Sequence, residues 1–146
     1  MSDGPARVAL HLREIGADAE RVDARSFAVR VPTERRGPFA VGLRVGERTL
    51  GGEAFFMRAP DRHRETVYRR LLAKNLGPGR WRFAVDDDGD LYMVLRTPLA
   101  GLTASALDDL LGELSVTVDE SFDSIMQVGF DVPAPAPAPP ATAPDG

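Results

Sequence analysis

Cysteine is absent from the 146-residue chain, which removes disulfides, thiolate metal sites and cysteine nucleophiles from consideration together. Histidine occurs only as His11 and His63, so acid–base or metal chemistry near neutral pH has little to draw on. No apolar run approaches the roughly 18 residues that a membrane-spanning helix needs. The first residues, Met1-Ser2-Asp3-Gly4-Pro5, lack the basic stretch and apolar core of a signal peptide, so a cytoplasmic location is expected. Phosphate-cradling and dinucleotide glycine loops are missing as well. The serines, Ser2, Ser26, Ser105, Ser115, Ser121 and Ser124, sit in no nucleophile-elbow context. With no nucleophile, base and oxyanion donor to assemble, catalytic residues and cofactors are not expected, and the chain reads as a non-enzyme.

What is present is a globular balance, 43% hydrophobic and 27% charged, in a length that suits one domain. That domain is expected over residues 5–130. A Pro/Ala-rich tail follows over 131–146; Pro-Ala-Pro-Ala repeats offer no ladder donors and nothing to bury, so it is expected to be extended and disordered. The net charge of −4 conceals a division. Residues 1–80 carry 16 basic and 10 acidic side chains, +6, and residues 81–146 carry 2 basic and 12 acidic ones, −10. Read along the chain, this predicts two opposed charged faces, one gathered on a second helix and one on an aspartate-rich turn and a last helix.

Hydrophobic periodicity supplies the elements. Val8, Leu12 and Ile15 mark a short amphipathic helix over 5–17, with His11 on its exposed side. Phe27, Val29 and Val31, then Phe39, Val41, Leu43 and Val45, alternate as half-buried strands. Gly46-Glu47 predicts a two-residue hairpin with positive φ at its first position. A third strand runs from about Arg48 to Met57, with a bulge expected at Gly51-Gly52. Asp61 is the expected N-cap of a helix over 62–75 whose apolar stripe is Val67, Tyr68, Leu71 and Leu72. Trp81, Phe83 and Val85, then Leu91, Met93 and Leu95, alternate on either side of an Asp86–Asp90 turn. Thr103 caps a long helix carrying Leu107, Leu111, Leu114, Val118, Phe122 and Ile125, expected to bend or split near Ser115-Val116-Thr117-Val118 and to end at Gly129. The fold class is therefore α+β, a two-layer sandwich of a five-stranded antiparallel sheet and helices in the order α-βββ-α-ββ-α.

Two constellations carry chemistry. Asp86, Asp88 and Asp90 have the oxygen ligands that a hard cation takes. The calcium-loop spacing fails, because with Gly89 at its sixth position Ala84 and Leu95 fall where carboxylates are required, so no metal is assigned. Arg58, Arg62, Arg64, Arg69 and Arg70, with Lys74, form a basic cluster around the second helix. It is the candidate partner-binding site. The alternative reading, a nucleotide or nucleic-acid binder using the same arginines, is opposed by an overall pI of about 5.2.

Val67-Tyr68-Arg69-Arg70-Leu71-Leu72 followed by Asn75, Phe83-Ala84-Val85-Asp86 with Gly89-Asp90-Leu91-Tyr92, Pro98-Leu99, and Leu107-Asp108 through Asp119-Glu120-Ser121-Phe122 to Gly129-Phe130 together resemble the actinobacterial type of YbjN domain, a relative of the type III secretion chaperone fold. The resemblance covers about Val8 to Phe130. It implies a small α+β sandwich that binds protein partners without catalytic residues, with loose links to stress response and to transcriptional or sensory regulation. The expected role is a cytoplasmic, chaperone-like or regulatory interaction domain. A homodimer is also expected, because a sheet with apolar edges and divided charge suits isologous or head-to-tail pairing.

Overall fold

The computed structural model describes residues 3–132; from Pro133 on, the expected tail lies outside the described residues. The elements are α1 (Gly4–Glu14), β1 (Asp18–Asp23), β2 (Ser26–Val31), β3 (Phe39–Val45), β4 (Thr49–Met57), α2 (Arg64–Lys74), β5 (Arg82–Val85), β6 (Leu91–Pro98) and α3 (Ala104–Phe130). The α+β class and antiparallel pairing agree with expectation. The sheet has six strands rather than five, in the spatial order β1-β2-β3-β4-β6-β5. The added strand, Asp18-Ala19-Glu20-Arg21-Val22-Asp23, is exposed at all six positions and so carries no apolar alternation. It pairs with β2, Ala19 opposite Val29 and Arg21 opposite Phe27. The edges are accordingly not apolar as expected: β1 is polar, and β5 is covered.

Period-two alternation places Phe27, Val29, Val41, Leu43, Leu50, Phe56, Leu91 and Met93 on one face of the sheet, each no more than 4% exposed. Leu107, Leu110, Leu114, Val118 and Ile125 of α3 recur at helical spacing and fill that layer, with Val8 and Leu12 of α1 and Val67 and Leu71 of α2. Each such side chain contributes about 1.5–3 kcal/mol on burial, which is what stabilises an α1 of so thin an apolar face.

Several local expectations are corrected, each by a nameable force. Helix α1 stops at Glu14, since Ala17 already donates its N–H to Leu12 and Gly16 takes φ +68. His11 is half-buried rather than exposed; both ring nitrogens are covered. Gly46 lacks positive φ; its N–H closes the β3–β4 turn on the Thr49 carbonyl at 2.8 Å. The pairing runs unbroken through Gly51 and Gly52, opposite Arg44 and Leu43, and β4 shifts register between Phe55 and Met57 instead. Helix α3 is continuous for 27 residues, about 40 Å. It does not split at Ser115–Val118, where Leu114 and Val118 are buried and the Ser115 hydroxyl donates to the Pro32 carbonyl. Nearby, Asp119 accepts the N–H groups of Glu34 and Arg35, and Arg35 forks onto Asp123. Gly129 does not end α3. It lies inside the helix where a Cβ would meet Pro60 at 3.0 Å and Val67 at 3.2 Å, and Asp131, at φ 55, is the cap.

Candidate functional site

Helix α2 lies beside β5 and the end of α3, and its two termini are fixed by different means. At the start, Asp61 is not the N-cap; its carboxylate is engaged by Arg58 at 2.6 and 3.1 Å, and His63 occupies the cap position in the left-handed region. Helix α2 therefore begins at Arg64, and its entry is held by Arg62 N–H donating to the Gly129 carbonyl and by Arg64 Nε donating to Pro60. At the end, Asn75 places its amide on edge strand β5, accepting from Phe83 N–H at 2.8 Å and donating to the Phe83 carbonyl at 3.0 Å. One side chain thus satisfies both outward groups of Phe83, midway along an otherwise open strand.

The five arginines expected to bind a partner are brought into one region, and most are occupied. Arg58 pairs with Asp61 and stacks over Phe130, 4.6 Å from its ring centroid. The same guanidinium holds the Asp61 carboxyl below the usual carboxylate range. Arg62 lies 3.3 Å from Asp131, and Arg69 pairs with Glu65 one turn away at 2.9 Å. Arg64 is engaged by a carbonyl. Of the five, Arg70 alone has no hydrogen-bonding or ionic partner among the described residues. A phosphate binding to this set would have to displace those exposed ion pairs.

The aspartate turn of the acidic half lies beside α2 and not on a face opposed to it. Tyr68 of α2 donates its hydroxyl to the Gly89 carbonyl at 2.9 Å, and the Asp90 carboxylate accepts Ala59 N–H at 2.8 Å, so the aspartate turn docks against the first turn of α2. Asp86, Asp88 and Asp90 do approach within 4.8 Å of one another. Asp86 is spent within the turn, accepting N–H groups from Asp88 and Asp90 at 3.0 Å each, while Gly89 supplies the positive φ of +89. Turn closure thus accounts for Asp86, and the bond to Ala59 accounts for Asp90.

What sequence reading missed lies on the outer side of α2. Leu72, expected in the buried stripe, is 68% exposed, and Leu76 is 90% exposed. At 100° per residue Leu72 stands well round the helix from Val67 and Leu71, which are buried, so the helical angle was the available signal. Leu72 sits in the last turn of α2 and Leu76 in the turn just past its Asn75 cap, with Arg69, Arg70 and Lys74 close by in the chain; Val85 on the adjoining strand is 44% exposed.

Residues 4–127 match the model of the YbjN family, described as "putative bacterial sensory transduction regulator". The chain belongs to the YbjN family. An uncharacterized protein of Mycobacterium tuberculosis is 36% identical over 105 residues, which cover 72% of this chain and 57% of that protein. The chain thus spans little more than half the length of the curated relatives it matches. Among solved structures, a chain of the heterodimeric ExoU–SpcU complex from the type III secretion system of Pseudomonas aeruginosa superposes with a TM-score of 0.56 at 19% identity, over 83% of this chain and 94% of that one. The Yersinia pestis type III secretion chaperone SycH, in complex with a stable fragment of YscM2, gives 0.55 at 16% identity, over 79% and 96%. At these identities the likeness is one of fold, and the YbjN domain shares the type III secretion chaperone fold. Among the described residues no helix is long and apolar enough to cross a membrane.

Proposed function

We propose that this YbjN domain is a non-enzymatic protein-interaction unit, chaperone-like or regulatory and working in the cytoplasm, that pairs with a second copy of itself through the end of α2 and the turn that follows it. Residues 5–130 are the unit meant. The observation that carries the reading is the pair Leu72 and Leu76, 68% and 90% exposed at the end of α2 and in the turn that follows it, in a stretch that also carries Arg69, Arg70 and Lys74. Two large apolar side chains exposed close together in the chain are the kind of surface that a partner covers with a gain in free energy. Arg70 and Lys74 at the rim would steer and orient a partner, while the paired Arg58, Arg62, Arg64 and Arg69 shape the helix that presents the leucines. The solved neighbours named above are complexes between proteins, which is consistent with this use of the fold.

The test is light scattering on the wild type and on Leu72→Asp with Leu76→Asp. A wild-type mass of twice the chain, falling to one chain in the variant with an unchanged circular dichroism spectrum, is the expected result. A strictly monomeric wild type at high concentration overturns self-pairing, and a dimer indifferent to both substitutions moves it off α2.

A further inference from the structure

The face of the sheet turned away from the helices carries a second, separate feature. In the β3-β4-β6 pairing Arg44 stands directly opposite Gly51, and Gly51 directly opposite Arg96. All three side-chain positions point to the same, helix-free face, so two arginines flank a glycine with their Cα atoms about 10 Å apart, two strand spacings. Both arginines are exposed, and neither has a carboxylate within ion-pairing distance among the described residues; Arg44 makes only a long contact, 3.4 Å, to the Ser26 hydroxyl. Asp23 is close enough to feel the charge of Arg44, but one of its oxygens is taken by the N–H of Arg25.

The glycine between them is not demanded by the fold. At Gly52 a Cβ would strike the Trp81 ring at 2.7 Å, so packing explains that residue. At Gly51 a Cβ would meet nothing nearer than the Arg44 and Leu95 carbonyls at 3.9 and 4.0 Å, ordinary contact distance, and φ is not positive there. A glycine in a strand interior costs stability, and one that the packing does not require leaves a floor open to a close approach. Gly42 and Gly51 lie beneath a hollow of about 430 Å³ walled by Arg44, Arg96 and Val94.

We propose that Arg44 and Arg96 form a slot for a single carboxylate side chain of an extended acidic peptide segment from a protein partner, its backbone lying over Gly51. Two guanidinium forks converging on one carboxylate give charge-assisted hydrogen bonds, and the bare strand lets the peptide come close. Glu53 lines the same hollow and argues against a nucleic acid, since its charge opposes a repeating phosphate chain but leaves room for one acid beside a neutral or basic neighbour. The slot rests on the protein-interaction reading but not on α2.

The test is amide NMR titration of the full chain with a blocked Gly-Glu-Ala-Glu-Gly peptide, with its Gln analogue and with inorganic phosphate. Saturable shifts centred on Gly42, Gly51 and Arg96 with the Glu peptide alone are expected. In Arg44→Gln with Arg96→Gln the affinity should fall by about tenfold or more, as charged hydrogen bonds are lost. Gly51→Val, which fills the floor with a residue suited to a strand, should abolish the shifts and keeps the test available if the double variant folds poorly. Phosphate binding as tight as the peptide, equal shifts with the Gln analogue, non-saturating shifts, or unchanged affinity in the variants each overturns the slot. Peptide binding by a monomer would sink α2 pairing alone; a dimer without peptide shifts would sink the slot alone.

Discussion

The two edges of the sheet solve the same problem in opposite ways. Edge strand β5 is short, with its Phe83 and the preceding Trp81 buried, and it is backed by other elements. Asn75 bonds both outward groups of Phe83, Glu113 of α3 accepts the N–H groups of Arg80 and Trp81, and the Trp81 indole donates to the Leu110 carbonyl at 2.8 Å. Edge strand β1 is closed by nothing among the described residues and is protected by its own charges, Asp18, Glu20, Arg21 and Asp23. An exposed ladder that repels further strands needs no cover. One edge is built into the core, and the other is only attached to it.

If that contrast is right, the largest loss follows damage at β5. Trp81→Ala removes an indole that is 4% exposed, packed on Gly52 and bonded to α3. We expect a cost of about 3–5 kcal/mol in urea unfolding, the range for deleting a buried aromatic. A loss below about 1 kcal/mol, the level of a surface change, would contradict the account of this edge.

Next in size is Asn75→Ala, which leaves the Phe83 N–H and carbonyl without their partner at a part-buried position. Leaving buried polar groups unpaired costs about 1–3 kcal/mol, and hydrogen exchange at the Phe83 amide should quicken in step. Asn75→Asp retains the acceptor and loses the donor, so it should protect the Phe83 amide better than Ala does. Smaller again is β1: Val22→Lys, at a position 63% exposed on an open strand, should shift stability by no more than about 0.5 kcal/mol. Asp18→Asn with Glu20→Gln should leave unfolding as little changed, yet sedimentation should detect more self-association as the charged edge is blunted.

The same contrast explains what was legible in the sequence. Strands that bury one face announce themselves through Phe27, Val29, Val31 and their like, because alternation is the imprint of a half-buried sheet. The β1 strand buries nothing, so Asp18–Asp23 carries no such imprint and is held only by pairing with β2. The Thr103 cap and the α3 stripe could be read because they depend on local spacing. The roles of Gly52 and Gly129 could not, since Trp81 in one case and Pro60 with Val67 in the other come from distant parts of the chain. The candidate site was half readable: the arginines were visible as a cluster, whereas their pairing with Asp61, Asp131 and Glu65 depends on the third dimension for Asp131 and on rotamers for the others.

The smallest predicted effect tests whether β1 behaves as an attachment. Asp23 ends that strand, and its carboxylate accepts the Arg25 N–H at 2.9 Å across the turn into β2. That bond lowers the Asp23 pKa from its ordinary 3.8 against the opposing effect of desolvation, with smaller help from Ser26 and from the charge of Arg44. A carboxyl that is more acidic folded than unfolded stabilises above its unfolded pKa and ceases to do so as pH falls through the folded one. Amides of β1 should therefore lose exchange protection as pH drops below about 4, ahead of the Phe83 amide on the opposite edge, once intrinsic exchange rates are corrected for. Asp61 is lowered in the same direction by Arg58, so global melting curves would mix the two and only a residue-resolved measurement separates them. Asp23→Asn keeps an oxygen to accept from Arg25 but cannot titrate, and it should flatten the acid response of β1 while leaving that of the Arg58–Asp61 corner intact. If both edges lose protection together in the wild type, the two are one cooperative unit and the distinction between a built-in and an attached edge fails.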